Sequence, residues 1–343
     1  MTKQRTTISD VATAAGVSKG LVSFALNDRP GVAPETRQRI LDVAAELGWR
    51  PSLRARSLST NRAFALGLVI ARAPEVIADD PFFPAFIAGV QSVLGPRGQS
   101  LVLGMVNSIA DEEHFYRQLA VDGRVDGVIL TDLRRNDPRI ALASELGLRA
   151  VTLGRADVAS PFPSVSLDDG PGIRDVVAHL VDLGHVRIAH VAGPSRMLHG
   201  VRRRLSFEHA MSERGLASDL VIETDFSAAD GARATAELLT RRPTAIVYAN
   251  DPMAIAGIGV IQRAGLLVPD DISVTGFDGS EVGAFLHPAL TTVTTAVHDW
   301  GAAAADTLLR LVDLPPSSDA HIDDVTLDPA RLVIRESSAS PTT

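Results

Sequence analysis

From Leu66 to Phe277 the sequence keeps returning to one pattern, a short apolar run followed by a longer amphipathic stretch. The apolar runs are Leu66 to Ile70, Leu101 to Met105, Gly127 to Thr131, Ala150 to Gly154, Ile188 to Ala192, Ala245 to Tyr248 and Ser273 to Phe277. Helical patterns lie between them, as in Ala85 to Leu94, Asp169 to Leu183 and Met253 to Ala264. A strand covered on both faces reads as a continuous apolar run, and helical stretches between such runs supply the crossovers that parallel strands need. The runs are too many for one compact sheet, so the pattern predicts two similar α/β lobes. In sheets of this kind ligands collect outside the carboxyl ends of the strands. That rule singles out Thr131, Arg155, Asn250 with Asp251, and Asp278.

The first sixty residues obey a helical rule instead. Thr7-Ile8-Ser9-Asp10 has the spacing of a capping box, with an acid three residues after a Thr N-cap. Ile8, Val11, Ala12 and Ala15 then fall on one helical face, and Gly16-Val17 makes a turn. Ser18 can cap a second helix whose apolar stripe is Leu21, Val22, Ala25 and Leu26. Two short helices joined by a tight glycine-containing turn form a helix-turn-helix, in which the second helix enters the major groove of DNA. Pro34 opens a third helix with Ile40, Leu41, Ala44 and Leu47 predicted to face inward, and Gly48 ends it.

Charge follows the same division. Residues 1–62 carry ten Lys/Arg against five Asp/Glu, a net of +5, while the remainder carries 23 against 36, a net of -13. A basic head on an acidic body suits a chain that meets phosphate with one end. There is no cysteine, hence no disulfide and no thiolate metal site. No apolar run reaches the roughly 20 residues of a membrane helix, and the N-terminus lacks an apolar signal core. These features predict a cytoplasmic protein.

The ordered string Thr7-Ile8-Ser9-Asp10-Val11-Ala12, Ala15-Gly16-Val17-Ser18, Val22-Ser23, Asn27 and Thr36-Arg37 resembles the opening of LacI/GalR-family repressors. Trp49-Arg50-Pro51 and Ala55-Arg56-Ser57-Leu58 continue the resemblance, which persists to about Glu336. It implies an all-α helix-turn-helix domain over 1–50 and a hinge helix or linker over 51–62. A two-lobed α/β body of periplasmic-binding-protein type follows over 63–337, with parallel sheets. Lobe 1 is expected over about 63–163 and 295–324, lobe 2 over about 164–294 and 325–337, and a disordered tail over 338–343.

The resemblance also assigns roles. Ser18, Lys19 and Gly20 would open the recognition helix toward base edges, with Lys19 able to donate to guanine. Thr7, Ser23, Asn27, Thr36 and Arg37 would hold phosphates and set register. Phe24 stands where many members carry Arg, leaving contact with a thymine methyl or simple packing. Ala33 departs from the usual Ser/Thr cap. Ala55 and Leu58 would lie in the minor groove, Leu58 wedging between base steps in a paired hinge. The implied partners are a pseudo-palindromic double-stranded operator, a second copy of the chain and a small effector, with no cofactor, metal or membrane.

Effector residues follow on the same basis. Asp80-Pro81-Phe82-Phe83 resembles the family's Asn-Pro-Phe-Phe element, which brings in Asp80 and Phe83. Arg203, four residues before Phe207, matches the family's effector-binding Arg. Phe226 matches an aromatic that stacks on the ligand, and Thr295 a polar position where the chain crosses between lobes. Asn250 is expected to face ligand and Asp251 the following helix. Thr131, Arg155, Arg203, Asn250 and Asp278 suit a sugar, since a carboxylate can accept two hydroxyls at once. A purine or nucleoside is the alternative, with Phe83 and Phe226 sandwiching a flat ring.

Catalysis finds no support in the motifs. No Gly-x-Gly-x-x-Gly follows a strand, and no P-loop or His-Glu-x-x-His occurs. A solute-binding protein or a sugar-processing enzyme would leave the N-terminal helix-turn-helix unexplained. The expected function is a sequence-specific repressor controlled by a small effector, most simply a sugar.

Overall fold

A computed structural model describes residues 6–26, 29–49, 57, 60, 62–315 and 320–342. The chain divides into two compact units, Met1–Phe64 and Ala65–Thr343.

In the first unit, α1 (Ile8–Ala15), α2 (Lys19–Leu26) and α3 (Pro34–Glu46) surround a small core of Val11, Ala12, Ala15, Val22, Ala25, Ile40 and Ala44. The Asp10 carboxylate accepts from the Thr7 amide at 2.7 Å and from its hydroxyl at 2.8 Å, fixing the start of α1. Gly16 closes that helix at φ 65°, a left-handed conformation that costs glycine nothing. The Ser18 hydroxyl accepts from the Leu21 amide at 3.2 Å, so it caps α2. Along α3 the inward positions are narrower than expected. Ile40 and Ala44 are buried one turn apart, but Leu41 and Leu47 are 38% and 39% exposed. A helix this short, packed on two others, buries a single i, i+4 line, with Val43 beside it.

The second unit contains two six-stranded sheets. The first holds β1 (Ala65–Ile70), β2 (Ser100–Met105), β3 (Gly127–Leu130), β4 (Arg149–Leu153), β5 (Ser164–Ser166) and β11 (Val325–Thr326), in the order β11-β5-β4-β3-β1-β2. The second holds β6 (Ile188–Ala192), β7 (Val221–Glu223), β8 (Ala245–Tyr248), β9 (Ser273–Asp278), β10 (Thr291–Thr294) and β12 (Arg331–Val333), in the order β12-β10-β9-β8-β6-β7. Pairing is parallel throughout except between β10 and β12. Each of the seven apolar runs is a strand. The short strands β5, β7, β10, β11 and β12 mix apolar with polar residues, so they carry no apolar run to read.

Helices cover both faces of each sheet. In the first lobe, α4 (Pro74–Asp79), α5 (Phe82–Leu94), α6 (Ile109–Val121) and α7 (Pro138–Glu145) are joined by α12 (Val297–Asp313). Helices α5 and α12 pack close together. A Cβ at Gly89 would stand 1.9 Å from the His298 carbonyl oxygen, and one at Gly301 would stand 2.1 Å from that of Phe86. The second lobe uses α8 (Gly170–Asp182), α9 (Leu198–Glu213), α10 (Ala228–Leu239) and α11 (Asp251–Arg263).

Two boundaries differ from expectation. Because β5 and β11 pair with each other and with β4, lobe 1 extends to Ser166 and Thr326 rather than to 163 and 324. The segment from 338 is also ordered against lobe 2. The Ser338 hydroxyl bonds His179 Nε2 at 2.9 Å, and Ala339 exchanges hydrogen bonds with Ser273. The Thr342 hydroxyl donates to the Asp270 carbonyl at 2.8 Å. Ser, Pro and Thr composition reads as disorder, but here the tail's polar groups have fixed partners. No helix among the described residues is long and apolar enough to cross a membrane.

Candidate functional site

A cleft of about 440 Å³ opens between the lobes, at the carboxyl ends of the strands. From lobe 1 it is lined by Arg72 after β1, Asp80 and Phe82 at the start of α5, Thr131 and Asp132 after β3, Arg155 after β4 and Trp300 on α12. Lobe 2 contributes His199, Arg202 and Arg203 on α9, Phe226 after β7, Asn250 at the start of α11 and Asp278 at the end of β9.

At its base is an ion network. Arg72 grips Asp132 with two hydrogen bonds of 2.6 Å and donates to Asp80 at 3.0 Å. The same guanidinium lies over two rings, 5.3 Å from the centre of Phe83 and 5.4 Å from that of Phe226. Across the cleft, Arg203 donates to Asp169 at 2.9 Å and to the Ala249 carbonyl at 2.7 Å, with Asp278 at 3.9 Å. Arg203 also lies 3.6 Å over the Phe277 ring. Asp132, Phe226 and Asp278 all have positive φ, at 52°, 74° and 116°. Non-glycine residues in such conformations cost about 1–3 kcal/mol each and persist where surrounding contacts hold them.

The charges respond to this crowding. Burial works to raise the Asp132 carboxyl, but the charge and hydrogen bonds of Arg72 outweigh it and hold the group at about 2. For Asp278 burial wins over Arg203 and pushes the carboxyl well above the carboxylate range, with Asp80 adding to the rise. Burial likewise raises Asp80 against the pull of Arg72. His199 is driven down to about 3 by burial, against the pull of Asp132, so its ring is neutral at physiological pH. The base of the cleft is thus a set of paired charges in which both carboxyl oxygens of Asp80 and of Asp132 are engaged.

A second buried network braces the lobe-1 wall. Arg139 donates to the Thr131 and Asp132 carbonyls at 2.8 and 3.1 Å, while pairing with Asp137 at 2.6 Å and Glu112 at 3.0 Å. The loop it holds reaches lobe 2. The Leu198 amide donates to the Leu133 carbonyl at 2.8 Å, and the Arg135 amide to the Arg196 carbonyl at 3.0 Å.

Seven of the nine expected effector residues line this cleft: Asp80, Thr131, Arg155, Arg203, Phe226, Asn250 and Asp278. Phe83 does not; it is 2% exposed in the lobe-1 core, with Phe82 at the cleft instead. Thr295 is also absent from the lining, its carbonyl accepting from the Val297 amide as the chain turns into α12. Phe226 lies at the wall, but its ring is covered. His199 stacks on it at 5.2 Å and 11°, and the ring packs so tightly over Gly193 that a Cβ there would stand 2.1 Å away. Asn250 lines the cleft as expected but also takes the capping role expected of Asp251. The Asn250 carbonyl oxygen caps α11 by accepting from the Met253 amide, and its amide donates to the Phe226 carbonyl. Asp251 is buried beneath, accepting from Thr292 and the Ser280 amide at 2.6 Å each. Sequence reading missed Arg72, Asp132, His199 and Trp300. Arg72 and Asp132 stand just past β1 and β3, so the strand-end rule reaches them. His199 and Trp300 lie inside helices and carry no such signal. No group of three His, Asp or Glu among the described residues is placed to hold a metal ion.

In the N-terminal unit, Ser18, Lys19 and Gly20 are exposed at the start of α2, and Phe24 is 41% exposed with Arg29 over its ring. Thr7 is exposed, and Ser23 and Thr36 are half-buried. Arg37 behaves otherwise than a simple phosphate contact. Its guanidinium donates to the Ala25 carbonyl at 2.9 Å and the Arg29 carbonyl at 2.8 Å, tying α3 to the end of α2. Asn27, Ala55 and Leu58 lie outside the described residues.

A helix-turn-helix unit followed by a two-lobed cleft defines a class of DNA-binding regulator, and comparison with known proteins agrees. Residues 7–52 match the bacterial regulatory proteins of the lacI family, and residues 177–338 match the periplasmic binding protein-like domain. The HTH-type transcriptional regulator CelR of Thermobifida fusca is 34% identical over 339 residues, covering 97% of this chain and 96% of that relative. A solved complex of the transcriptional regulator CelR with cellobiose aligns at a TM-score of 0.73 and 32% identity, across 97% of this chain and 100% of that one. The lac repressor dimer bound to operator and the anti-inducer ONPF aligns at 0.80 and 28%, across 98% and 100%. The chain belongs to the LacI family of bacterial transcriptional regulators. Its relatives are regulators rather than enzymes.

Proposed function

We propose that this regulator is a homodimeric repressor acting inside the cell on a pseudo-palindromic operator, and that a neutral sugar in the cleft sets its operator affinity. The observation that carries the sugar reading is the cleft lining, where Asp80, Asp132, Asp168, Asp169 and Asp278 stand among Arg72, Arg155, Arg202 and Arg203, a nearly balanced set of hydrogen-bonding groups. Such a mixture of carboxyl and guanidinium groups both accepts from and donates to the hydroxyls of a neutral ligand. The size of the cleft is ordinary for a small ligand. The CelR relative solved with cellobiose supports the same class. A nucleobase is less suited, because Phe83 lies in the core outside the cleft and the Phe226 ring is covered by His199. DNA contact is assigned to Thr7, Ser18, Lys19, Gly20, Ser23, Phe24, Asn27 and Thr36 of the helix-turn-helix. In the hinge, Ala55 and Leu58 are assigned to the minor groove.

Coupling between the two sites is reciprocal, so effector and operator must shift each other's affinity by one factor, typically about 5- to 150-fold. The test is calorimetry of the full chain with cellobiose, ribose and hypoxanthine, followed by operator titration with and without whichever binds. The expected outcome is sugar binding that shifts operator affinity. Removing Asp278 or Arg203 as Asp278→Ala or Arg203→Ala should weaken that sugar by about 1–3 kcal/mol and leave ligand-free operator binding intact. Hypoxanthine binding without any sugar binding would overturn the sugar reading.

A further inference from the structure

Two loops join the lobes through groups of the chain alone. The loop after β3 in lobe 1 meets the loop after β6 in lobe 2 as an antiparallel bridge between Arg134 and Met197. The Leu198 amide donates to the Leu133 carbonyl at 2.8 Å and the Arg135 amide to the Arg196 carbonyl at 3.0 Å. Arg134 and Met197 therefore face each other as a non-hydrogen-bonded pair. Leu198, only 7% exposed, belongs to the apolar core of lobe 1 with Leu130, Leu133 and Ile140. Among the described residues it is the one member of that core drawn from lobe 2. Each loop is braced from its own side. Asp137 accepts from the Arg134 amide at 2.9 Å, and the Arg134 guanidinium pairs with Glu112. In lobe 2, Glu223 accepts from the Ser195 amide at 2.9 Å and from its hydroxyl at 3.0 Å.

The bridge has leverage because of where it stands. The chain crosses between lobes after β5, β10 and β11, each at or next to one edge of its sheet. Strand β3 lies two places from β5, and β6 three places from β10. At the usual strand spacing this sets the bridge roughly 10–15 Å from the crossings. Parting the lobes about the crossings must break both hydrogen bonds and withdraw Leu198 from the other lobe's core.

We propose that this bridge, with Leu198 as its peg, is a latch: it holds the lobes together on the side away from the crossings, and ligand enters or leaves the cleft only when it opens. Leu133 and Leu198 also line the cleft, so the latch borders the space that a ligand occupies. Its contacts are two main-chain hydrogen bonds and one apolar side chain, none of which reads the ligand's chemistry. The latch itself therefore stands apart from the sugar reading, while its effect on sugar exchange rests on that reading.

The experiment locks and unlocks the latch in the full-length chain. The sequence has no cysteine, so Arg134→Cys with Met197→Cys places a single pair across the bridge. Opposed residues of this kind have Cα atoms about 4.5 Å apart, within reach of a disulfide. Leu198→Pro does the reverse. Leu198 is the first residue of α9, where proline's missing N–H costs the helix nothing, and Met197 before it is already extended at ψ 130°. The substitution removes one interlobe bond and the peg while α9 stands, which circular dichroism checks. Without ligand, mild oxidation of the cysteine pair should consume both thiols within one chain, at least about tenfold faster than when Leu198→Pro is added. Thiols that stay free, that link separate chains, or that react equally fast with Leu198→Pro overturn the latch. With cellobiose as probe, release should be at least about tenfold slower from the oxidised pair than from its reduced form. From Leu198→Pro it should be at least about tenfold faster than from wild type. Equal release rates in either comparison overturn the latch as the gate. If wild type binds neither cellobiose nor ribose, the sugar reading fails, and the thiol arm alone decides the latch.

Discussion

The N-terminal unit sets its candidate contact residues outside a core of seven small apolar residues, with Lys19 and Phe24 open to solvent on α2. The cleft does the opposite. Arg72, Asp132, Arg203 and Asp278 are drawn almost wholly out of solvent, and most of their polar atoms are used on one another. The difference follows from what each region meets. DNA brings its own charge and water to an open surface, so exposed donors suffice. A small ligand must be enclosed, and enclosed charges need partners in place before the ligand arrives. One region therefore depends on which residues are presented, and the other on which residues hold each other.

The largest expected effect tests that dependence. Arg139→Met takes the cation from Asp137, leaves Glu112 with Arg134 as its one arginine partner among those described, and releases the carbonyls of Thr131 and Asp132; the two acids are 0% and 1% exposed at their side chains. Breaking one partner out of a buried ion network costs about 3–5 kcal/mol. Urea unfolding followed through Trp300 in the body should show that loss. A cost no larger than that of a surface substitution would mean that the body's buried charges do not depend on one another.

Acid should separate the two regions next. His190 is fully buried, bonded through Nδ1 to the Val247 carbonyl at 2.9 Å and stacked on Phe207. Burial lowers it to about 4, against the pull of that hydrogen bond. Its unfolded form takes up a proton near 6.5 that the folded form refuses, so stability is lost as pH falls from about 6.5 toward 4. The loss reaches about 3 kcal/mol from this residue. The N-terminal unit contains no histidine. The two tryptophans fall one in each unit, Trp49 and Trp300, so single-tryptophan variants can report each separately. Acid sensitivity in this window should follow the Trp300 signal and shrink by about that amount in His190→Leu, with His199, which burial drives lower still, carrying part of the remainder. Equal sensitivity of the Trp49 signal would contradict the contrast.

The same contrast explains what could be read from the sequence. The recognition helix, its Ser18 cap and the Gly16 turn depend on residues within four positions of each other, so spacing alone conveys them. Strands buried on both faces are equally legible, because their apolar runs are continuous. The cleft's central pair is not local: Arg72 and Asp132 lie sixty positions apart, and only the pairing of β1 with β3 brings their strand ends together. Thr131 was picked by the strand-end rule and its neighbour Asp132 passed over, although the same rule covers both. Asn250 and Asp251 show a finer limit. Sequence shows that one must cap the helix, but which one does depends on Thr292 and Ser280, far along the chain.

Arg37 tests whether the N-terminal unit is wholly a matter of presentation. Its guanidinium is committed to two backbone carbonyls, so Arg37→Met should destabilise the unit by about 1–3 kcal/mol. Thermal unfolding followed through Trp49 would detect this, and binding to operator and random DNA should fall together as the folded fraction falls. A variant with wild-type stability that still loses affinity for both would return Arg37 to a plain phosphate contact.

Lys19 should have the smallest effect on stability and the most selective effect on binding. It is exposed at the first position of α2, where the Ser18 hydroxyl already satisfies the Leu21 amide. Removing a surface side chain away from caps and cores changes stability by no more than about 0.5 kcal/mol. If the lysine donates to guanine, Lys19→Ala should relax preference at one base position by about 1–3 kcal/mol and leave the other positions unchanged. A phosphate contact would behave differently, weakening operator and random sequence alike and lowering the salt dependence by about one ion. Binding to a set of operators, each changed at a single base pair and measured at two salt concentrations, distinguishes the two. A uniform loss would mean that the exposed end of α2 positions the protein without reading sequence, and recognition would then fall to Phe24 or to the hinge.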